Sequence, residues 1–130
     1  MKKGSLWLLL ILALGCVGWY MMRAGEPMQM VTTPDAIPAE AVRIVLRDDM
    51  FQPSSISIKK GVWVAFVNQN GDFFWPASDL HPTHDIYPEF DPLEPVASGM
   101  VWMFRFNKVG VWEFHDHLRS SRRGAITVTE

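Results

Sequence analysis

The four histidines of this chain are concentrated in two short motifs. They form the pairs His81/His84 and His115/His117, and all four fall within 37 positions. Imidazole is the commonest protein ligand for copper, zinc, iron and nickel, and a metal ion needs several ligands that converge on one point. A strand would send His115 and His117 to the same face, about 7 Å apart along the chain. The sequence therefore predicts a metal site built from these four side chains, with the strand-anchored second pair as its strongest ligands.

The composition narrows the choice of metal. The single cysteine, Cys16, lies in an apolar N-terminal run, so the remainder of the chain contains no thiol. This excludes an internal disulfide, a cysteine-ligated zinc site and a copper–thiolate site. Imidazole-only ligation favours Cu(II), and Zn(II) is the weaker competitor because the Irving–Williams order gives copper the higher affinity.

Five acidic residues lie near the histidines in the sequence and could act as further ligands. Glu113 shares the histidine face of the predicted strand, where it could bind the metal or orient an imidazole. Asp116 points to the opposite face and is predicted to support the loop. For Asp79, Asp85 and Glu89, near the first pair, solvated surface is the expectation.

The N-terminal sequence predicts a membrane anchor. Lys2 and Lys3 precede an uncharged run over residues 4–22, whose 19 residues would span about 28 Å as a helix. The positive charges before this run favour an N-terminus on the cytoplasmic side. We therefore predict a single-pass anchor at residues 1–22 of a bacterial cytoplasmic membrane protein, with the rest on the extracytoplasmic (periplasmic or outer) side. Lipidation of Cys16 is the alternative.

The remainder divides into a linker and one domain. Residues 23–40 hold three prolines and no sustained period, which predicts an extended linker. Residues 41–130 show strand patterns separated by turns, without helical periodicity, and predict an all-β sandwich. The patterns recur at 42–46, 56–58, 62–67, 100–106, 111–115 and 125–129.

A long segment, residues 69–95, interrupts the strand pattern and carries His81 and His84. It contains five prolines, and a loop of this length in a small domain is usually functional. Between residues 72 and 94 there are six acidic side chains and no Lys or Arg. Three arginines follow the second histidine pair: Arg119, Arg122 and Arg123. These charges predict either a latch between the two loops or a docking patch. The aromatic run 73–75 is expected to cover the end of the sandwich.

Two stretches of sequence resemble the cupredoxin family. The first is Phe-x-Pro-x-x-Ile-x-Ile-x-x-Gly at residues 51–61, followed by a strand that ends in Asn68, and the second covers residues 110–128. The resemblance implies a Greek-key β-sandwich that carries copper near its last loop. It also implies a redox or copper-accepting protein partner.

The departures from the family concern the ligands. His117 matches the family's ligand histidine in the last loop, but no cysteine is present, and Arg122 stands near the position of the axial methionine. The chain is most similar to a bacterial subgroup that carries the motifs His-Pro-Thr-His and His-Asp-His. That subgroup has a histidine before the tryptophan, where this chain has Phe74. Phe74 therefore marks either a lost ligand or a histidine that was never essential.

These features predict a membrane-anchored, copper-binding protein for copper capture and delivery or for electron transfer. We expect a binding protein rather than an enzyme, since no nucleophile–base pair stands out. A small copper-dependent oxidoreductase and a metal-free interaction domain are the alternatives. A net charge of −2 gives no sign of a nucleic-acid partner.

Overall fold

The computed structural model describes residues 28–130, which form an all-β sandwich, as predicted. The predicted anchor and Cys16 lie outside the described residues. Within residues 28–130, no helix has the length and apolarity needed to cross a membrane. Besides a 3-10 turn at Pro34–Ala36, the described part of the chain contains nine strands: β1 Gln29–Thr32, β2 Val42–Arg47, β3 Met50–Gln52, β4 Ser55–Lys59, β5 Trp63–Asn68, β6 Pro76–Ser78, β7 Val101–Arg105, β8 Gly110–Asp116 and β9 Arg119–Thr129.

The strands form two mixed sheets. One sheet has the order β1-β7-β5-β2-β3, and the other has the order β4-β9-β8-β6. β2 runs parallel to β5, and β4 runs parallel to β9, whereas the other pairs are antiparallel. Parallel neighbours need a crossover connection, so the chain passes repeatedly between the sheets and joins them into one unit.

Aromatic side chains fill the space between the sheets. Phe66 of β5 meets Phe114 of β8 edge-on, with ring centroids 5.4 Å apart. Phe90 stacks on Trp102 of β7 at 5.5 Å, and both side chains are buried. Phe90 belongs to the long segment 69–95, so the core fixes that segment to the sandwich.

The predicted linker contains a strand of the sandwich. β1 pairs with β7 in antiparallel register, from Gln29 opposite Phe104 to Thr32 opposite Val101. The Trp102 Nε1 group donates a hydrogen bond to the Gln29 side chain at 3.0 Å. Four residues without clear alternation carry too little pattern to be recognised as a strand. Residues 29–32 therefore belong to the folded unit.

The long segment is not structureless. It contributes β6, which pairs antiparallel with β8, so that Ala77 lies opposite His115. The Ser78 hydroxyl donates to the His84 carbonyl at 2.9 Å, and the Tyr87 N–H donates to the Ser78 hydroxyl at 3.2 Å. Local pairing and core anchoring thus hold this segment against the end of β8.

Candidate metal centre

The structure brings the four histidines together at one end of the sandwich. One ring nitrogen of each lies within 4.8 Å of the corresponding nitrogens of the other three. The closest contacts join the two motifs rather than the members of one motif. His81 Nδ1 lies 3.1 Å from His115 Nε2, and His84 Nε2 lies 2.9 Å from His117 Nδ1.

The end of β8 positions the second motif. His115 is still paired in the β8–β9 ladder, but the register shifts between His115 and Asp116. The His117 N–H donates to the Trp75 carbonyl at 2.7 Å, outside that ladder. A register shift re-aims the side chains that follow it, and both rings contact those of the first motif.

A tight turn positions the first motif. The His84 N–H donates to the Leu80 carbonyl at 2.7 Å, and His84 has a φ of 55°, in the left-handed region. Histidine is among the residues that enter this region more often than most. The turn directs both imidazoles of the motif toward the end of β8.

Two buried aspartates hold two of the rings from behind. Asp79 is 3% exposed, and its Oδ1 accepts a hydrogen bond from His115 Nδ1 at 2.6 Å. Asp91 is 8% exposed, and its Oδ2 accepts from His84 Nδ1 at 2.6 Å. A carboxylate behind a histidine fixes the tautomer and turns the other ring nitrogen toward a metal. The expectation of a solvated surface was wrong for Asp79, and sequence reasoning did not single out Asp91.

The aspartates divide the cluster into two pairs. His84 and His115 are buried and are called the inner pair; His81 is exposed, His117 is partly buried, and they are called the outer pair. With Nδ1–H donated to a carboxylate, each inner histidine presents a bare Nε2. Each outer histidine approaches with Nδ1, which donates to that Nε2. The outer rings therefore exchange tautomer when their Nδ1 atoms act as ligands.

The electrostatic surroundings keep two of the rings neutral. Burial lowers the pKa of His115 below its usual value, although the hydrogen bond to Asp79 opposes this effect. The pKa of His117 is also lowered, first by burial and then by the neighbouring His84 and His81. A neutral imidazole is the form that binds a metal, so both groups are ready ligands at neutral pH.

The Asp91 carboxylate, which accepts a hydrogen bond from His84, is held in its charged form. Burial alone would raise the pKa of Asp91, but hydrogen bonds from His84, the Leu93 N–H and Trp75 lower it below its usual value. Asp91 is therefore ionised at neutral pH. Its second oxygen, Oδ1, accepts from Trp75 Nε1 at 2.7 Å and from the Leu93 N–H at 2.8 Å.

A buried arginine joins the loops that carry the site. Arg122 Nη1 donates to Asp116 at 2.8 Å, and Nη2 contacts Asp49 and Asp72. Asp116 Oδ1 accepts from the Trp75 N–H and the Leu118 N–H, at 2.9 and 3.0 Å. The predicted latch between the acidic segment and the arginines is therefore present. Asp116 supports the loop, as expected.

The other candidates lie away from the cluster. Phe74 is fully buried in the aromatic core, and its backbone pairs with Val96. Glu113 and Asp85 are exposed, and Glu89 forms an ion pair with Lys108 at 2.8 Å. These three carboxylates lie outside the group of side chains that converges on the site.

The aromatic run does not form a single cover over the sandwich end. Phe73 is 56% exposed, whereas Trp75 packs its ring 4.8 Å from that of His117. Trp75 also donates its indole N–H to Asp91, so it touches both an outer ligand and the carboxylate behind an inner one. Sequence reasoning assigned no such role to Trp75.

Two nitrogen–nitrogen contacts in the cluster have the spacing of neighbouring ligands on a first-row divalent metal. Metal–imidazole bonds of about 2.0 Å place neighbouring ligand nitrogens roughly 2.8–3.3 Å apart, depending on geometry. The contacts between His81 and His115 and between His84 and His117, at 3.1 and 2.9 Å, lie in that range. Four nitrogen donors suit Cu(II) or Zn(II).

Comparison with known proteins supports the fold. No family model matches the chain, and no curated protein sequence matches it. Solved structures do match. A reduced amicyanin with a tryptophan-to-tyrosine substitution has a TM-score of 0.67 and 11% identity, over 79% of this chain and 100% of that chain. A reduced Cu(I) amicyanin with a proline-to-glycine substitution gives the same values.

A third amicyanin, with a proline-to-phenylalanine substitution, has a TM-score of 0.68 and 12% identity, over 81% of this chain and 97% of that chain. Identities this low establish the fold alone, because function depends on the particular site residues. The described residues of this chain therefore adopt the cupredoxin fold of amicyanin, with a cluster of four histidines at one end of the sandwich.

Proposed function

We propose that this protein binds a copper ion through His81, His84, His115 and His117 and serves in copper capture and delivery. The supporting observation is that these four imidazoles converge, with two of the rings held in place by buried carboxylates. A site that needs no rearrangement of its inner ligands loses little conformational entropy on binding.

The inner and outer histidine pairs have different roles in copper binding. The inner pair supplies two fixed Nε2 donors, because Asp91 and Asp79 hold the opposite nitrogens. The outer pair completes the donor set from the solvent side, since His81 is exposed. When bound, copper supplies a Lewis-acidic, redox-capable centre. His81 and His117 are the donors that an incoming ligand from a partner protein reaches first.

We also propose that residues 1–22 anchor the domain to the extracytoplasmic face of a bacterial membrane. The support is the uncharged run at residues 4–22 with lysines before it. Membrane fractionation of the full chain and of a version without residues 1–22 tests this placement. Recovery of both in the same soluble fraction would reject the anchor.

Electron transfer is the second candidate function. It is favoured by the fold, which this chain shares with amicyanins solved in reduced and oxidised states. Against it stands the all-imidazole donor set, because sulfur ligands are typical of fast copper electron-transfer sites. Electron exchange with a partner protein, observed while the copper stays bound to this chain, would favour electron transfer.

Metal analysis of the purified 130-residue chain in detergent tests copper binding. We expect one Cu(II) per chain, nitrogen hyperfine structure in electron paramagnetic resonance, and no intense thiolate charge-transfer absorption. The His84→Ala/His115→Ala variant should lose the signal, whereas Glu113→Gln, on the exposed face of the same strand, should keep it. Stoichiometric Zn(II) that excess Cu(II) does not displace would overturn the copper assignment.

A further inference from the structure

We propose that Asp79 and Asp91 make the histidine cluster selective for a divalent cation, so that it binds Cu(II) in strong preference to Cu(I). The inference rests on the proposed copper function and deepens it. Neither aspartate is assigned as a ligand. Each is a positioning residue that acts on the ion through the imidazole it holds.

Asp91 carries a buried negative charge that lacks a strong cationic partner. Its neutral donors are the Trp75 indole and the Leu93 N–H. Among residues 28–130, His84 is the only basic side chain within ion-pair distance of Asp91. A buried charge is costly unless an opposite charge lies nearby. A cation held at His84 Nε2, on the far side of the same ring, supplies that charge.

The negative charge of Asp79 is compensated in part by Arg123. Its Oδ1 accepts from His115, and its Oδ2 pairs with Arg123, whose side chain is half exposed. Water screens an exposed charge more than a buried one. Asp79 therefore adds to the negative potential at the cluster but adds less than Asp91.

The buried negative charge favours a divalent ion. Asp91 contributes a negative charge without a strong cationic partner, and Asp79 contributes a second that Arg123 offsets in part. A negative charge attracts a divalent cation about twice as strongly as a monovalent one at the same distance. Imidazole nitrogens also favour Cu(II) over the softer Cu(I) ion. Removing one carboxylate charge should shift the Cu(I)-to-Cu(II) affinity ratio roughly 10- to 100-fold.

The test measures Cu(II) affinity and the copper reduction potential of the full chain in detergent. The variants are Asp91→Asn, Asp79→Asn and Arg123→Gln. Asparagine removes the charge and keeps one oxygen that can accept from the imidazole N–H. Its amide NH2 replaces the second oxygen, which accepts from Trp75 and Leu93 at Asp91 and pairs with Arg123 at Asp79. Glu89→Gln is the matched control, because it removes an exposed charge from the same segment, away from the cluster.

We expect Asp91→Asn to raise the potential by about 60–120 mV, which corresponds to a 10- to 100-fold change in the affinity ratio for a one-electron couple. Asp79→Asn should raise the reduction potential by less. Arg123→Gln should lower the potential, because it removes the positive charge that partly compensates Asp79. Glu89→Gln should leave the potential unchanged. Opposite signs for Asp79→Asn and Arg123→Gln distinguish a charge effect from a loss of structure.

Three results would overturn the inference. Equal losses of Cu(I) and Cu(II) affinity, with an unchanged potential, would mean that the aspartates serve only to hold the fold. If the unmodified chain binds no copper, the proposed function fails as well. Should the variants not fold, the full chain with Cys16→Ser, which lacks the thiol that would bind a soft ion, still gives an answer through Ag(I), a redox-inert monovalent ion. Cu(II) should bind at least roughly 100-fold more tightly than Ag(I), and tighter binding of Ag(I) would reject the selectivity.

Discussion

At the scale of single residues, the buried carboxylates Asp79 and Asp91 distinguish histidines that share a motif. Each motif contributes one inner and one outer ring, whereas the sequence predicts that the second motif supplies the strongest ligands. The inner rings are fixed by hydrogen bonds of 2.6 Å from Nδ1 to carboxylates. The outer rings lie toward solvent and must change tautomer to act as ligands. Ligand strength should therefore follow burial rather than motif.

Alanine substitutions test this ranking of the four histidines. Because fixed ligands lose less entropy on binding, His84→Ala or His115→Ala should weaken Cu(II) binding at least about tenfold more than His81→Ala or His117→Ala. Competition titration against a chelator of known affinity measures the difference. If His115→Ala and His117→Ala weaken binding equally, and both more than the other two, the strand-based ranking would be right and the inner pair would not exist.

Phe74 stands where the related subgroup carries a histidine, and its burial bears on whether a ligand has been lost. Its side chain is fully buried in the aromatic core, so Phe74→His should add no donor to the cluster. We expect unchanged copper affinity and a loss of about 2–4 kcal/mol in the free energy of unfolding, from lost packing and a buried polar ring. Urea denaturation and copper titration measure the two quantities.

Phe73→His is the control for this prediction. Phe73 is the exposed neighbour, and its replacement should change stability by less than about 0.5 kcal/mol. Tighter copper binding by the Phe74→His variant would show that position 74 can reach the metal.

At the scale of elements, the β8–β9 hairpin and the segment around β6 build the site together. β8 pairs with both β6 and β9, and its last residues carry the second histidine motif. Where β9 passes Phe114, a Cβ on Gly124 would lie 2.6 Å from Phe114 Cε1 and 2.7 Å from the Ser54 carbonyl oxygen. The close approach of these elements therefore requires a glycine.

The Gly124→Ala variant tests this close approach. The added methyl group should force backbone or ring shifts and lower the free energy of unfolding by about 1–3 kcal/mol. Gly71→Ala is the matched control, because its Cβ would meet no atom within 4 Å. Equal urea midpoints for the Gly124→Ala and Gly71→Ala variants would contradict the steric argument.

At the scale of the whole molecule, the histidine cluster is a contact between distant parts of the chain. The bond between His81 and His115 spans 34 positions, and the one between His115 and Asp79 spans 36. A ligand that binds the folded cluster and not the unfolded chain stabilises the whole domain. The lowered pKa values of His115 and His117 make the same cluster sensitive to acid.

Copper should therefore raise the thermal stability of the protein. At a free concentration of one hundred times the dissociation constant, the expected stabilisation is about 2.7 kcal/mol. Calorimetry with increasing Cu(II) should show a rising melting temperature, and the His84→Ala/His115→Ala variant should show a flat one. A falling melting temperature in the unmodified chain would mean that copper prefers the unfolded state.

The metal-free protein should lose stability as the pH falls. The pKa values of His115 and His117 are lowered in the folded state, so the unfolded chain binds protons more readily below about pH 6.5. Their contribution to stability is fully present above that pH and declines as the pH falls through the folded-state pKa values. Urea unfolding at pH 8, 7, 6 and 5 measures the effect. The His115→Gln/His117→Gln variant should show a smaller decline, and an equal decline would assign it to other groups.

The sequence by itself determined the class of fold and which donor atoms a metal site could use. Alternating apolar residues at Val42, Ile44 and Leu46 define a strand with one buried face, because side chains alternate between the two faces of a strand. The presence of four histidines and the absence of a cysteine after Cys16 are properties of composition, so no folded structure was needed to exclude a thiolate site.

Only the tertiary structure decided which side chains support the cluster. Asp79 and Asp91 resemble surface carboxylates in the sequence, since burial and hydrogen bonding depend on how the chain folds back. Asp79 contacts His115, 36 positions away, and Asp91 contacts His84 and Trp75, 7 and 16 positions away. The strand β1 was missed for the same reason, because pairing with β7 rather than a local pattern makes it a strand. The grouping of the histidines across motifs follows from a register shift and a turn, which fix side-chain directions only once the sheets have packed.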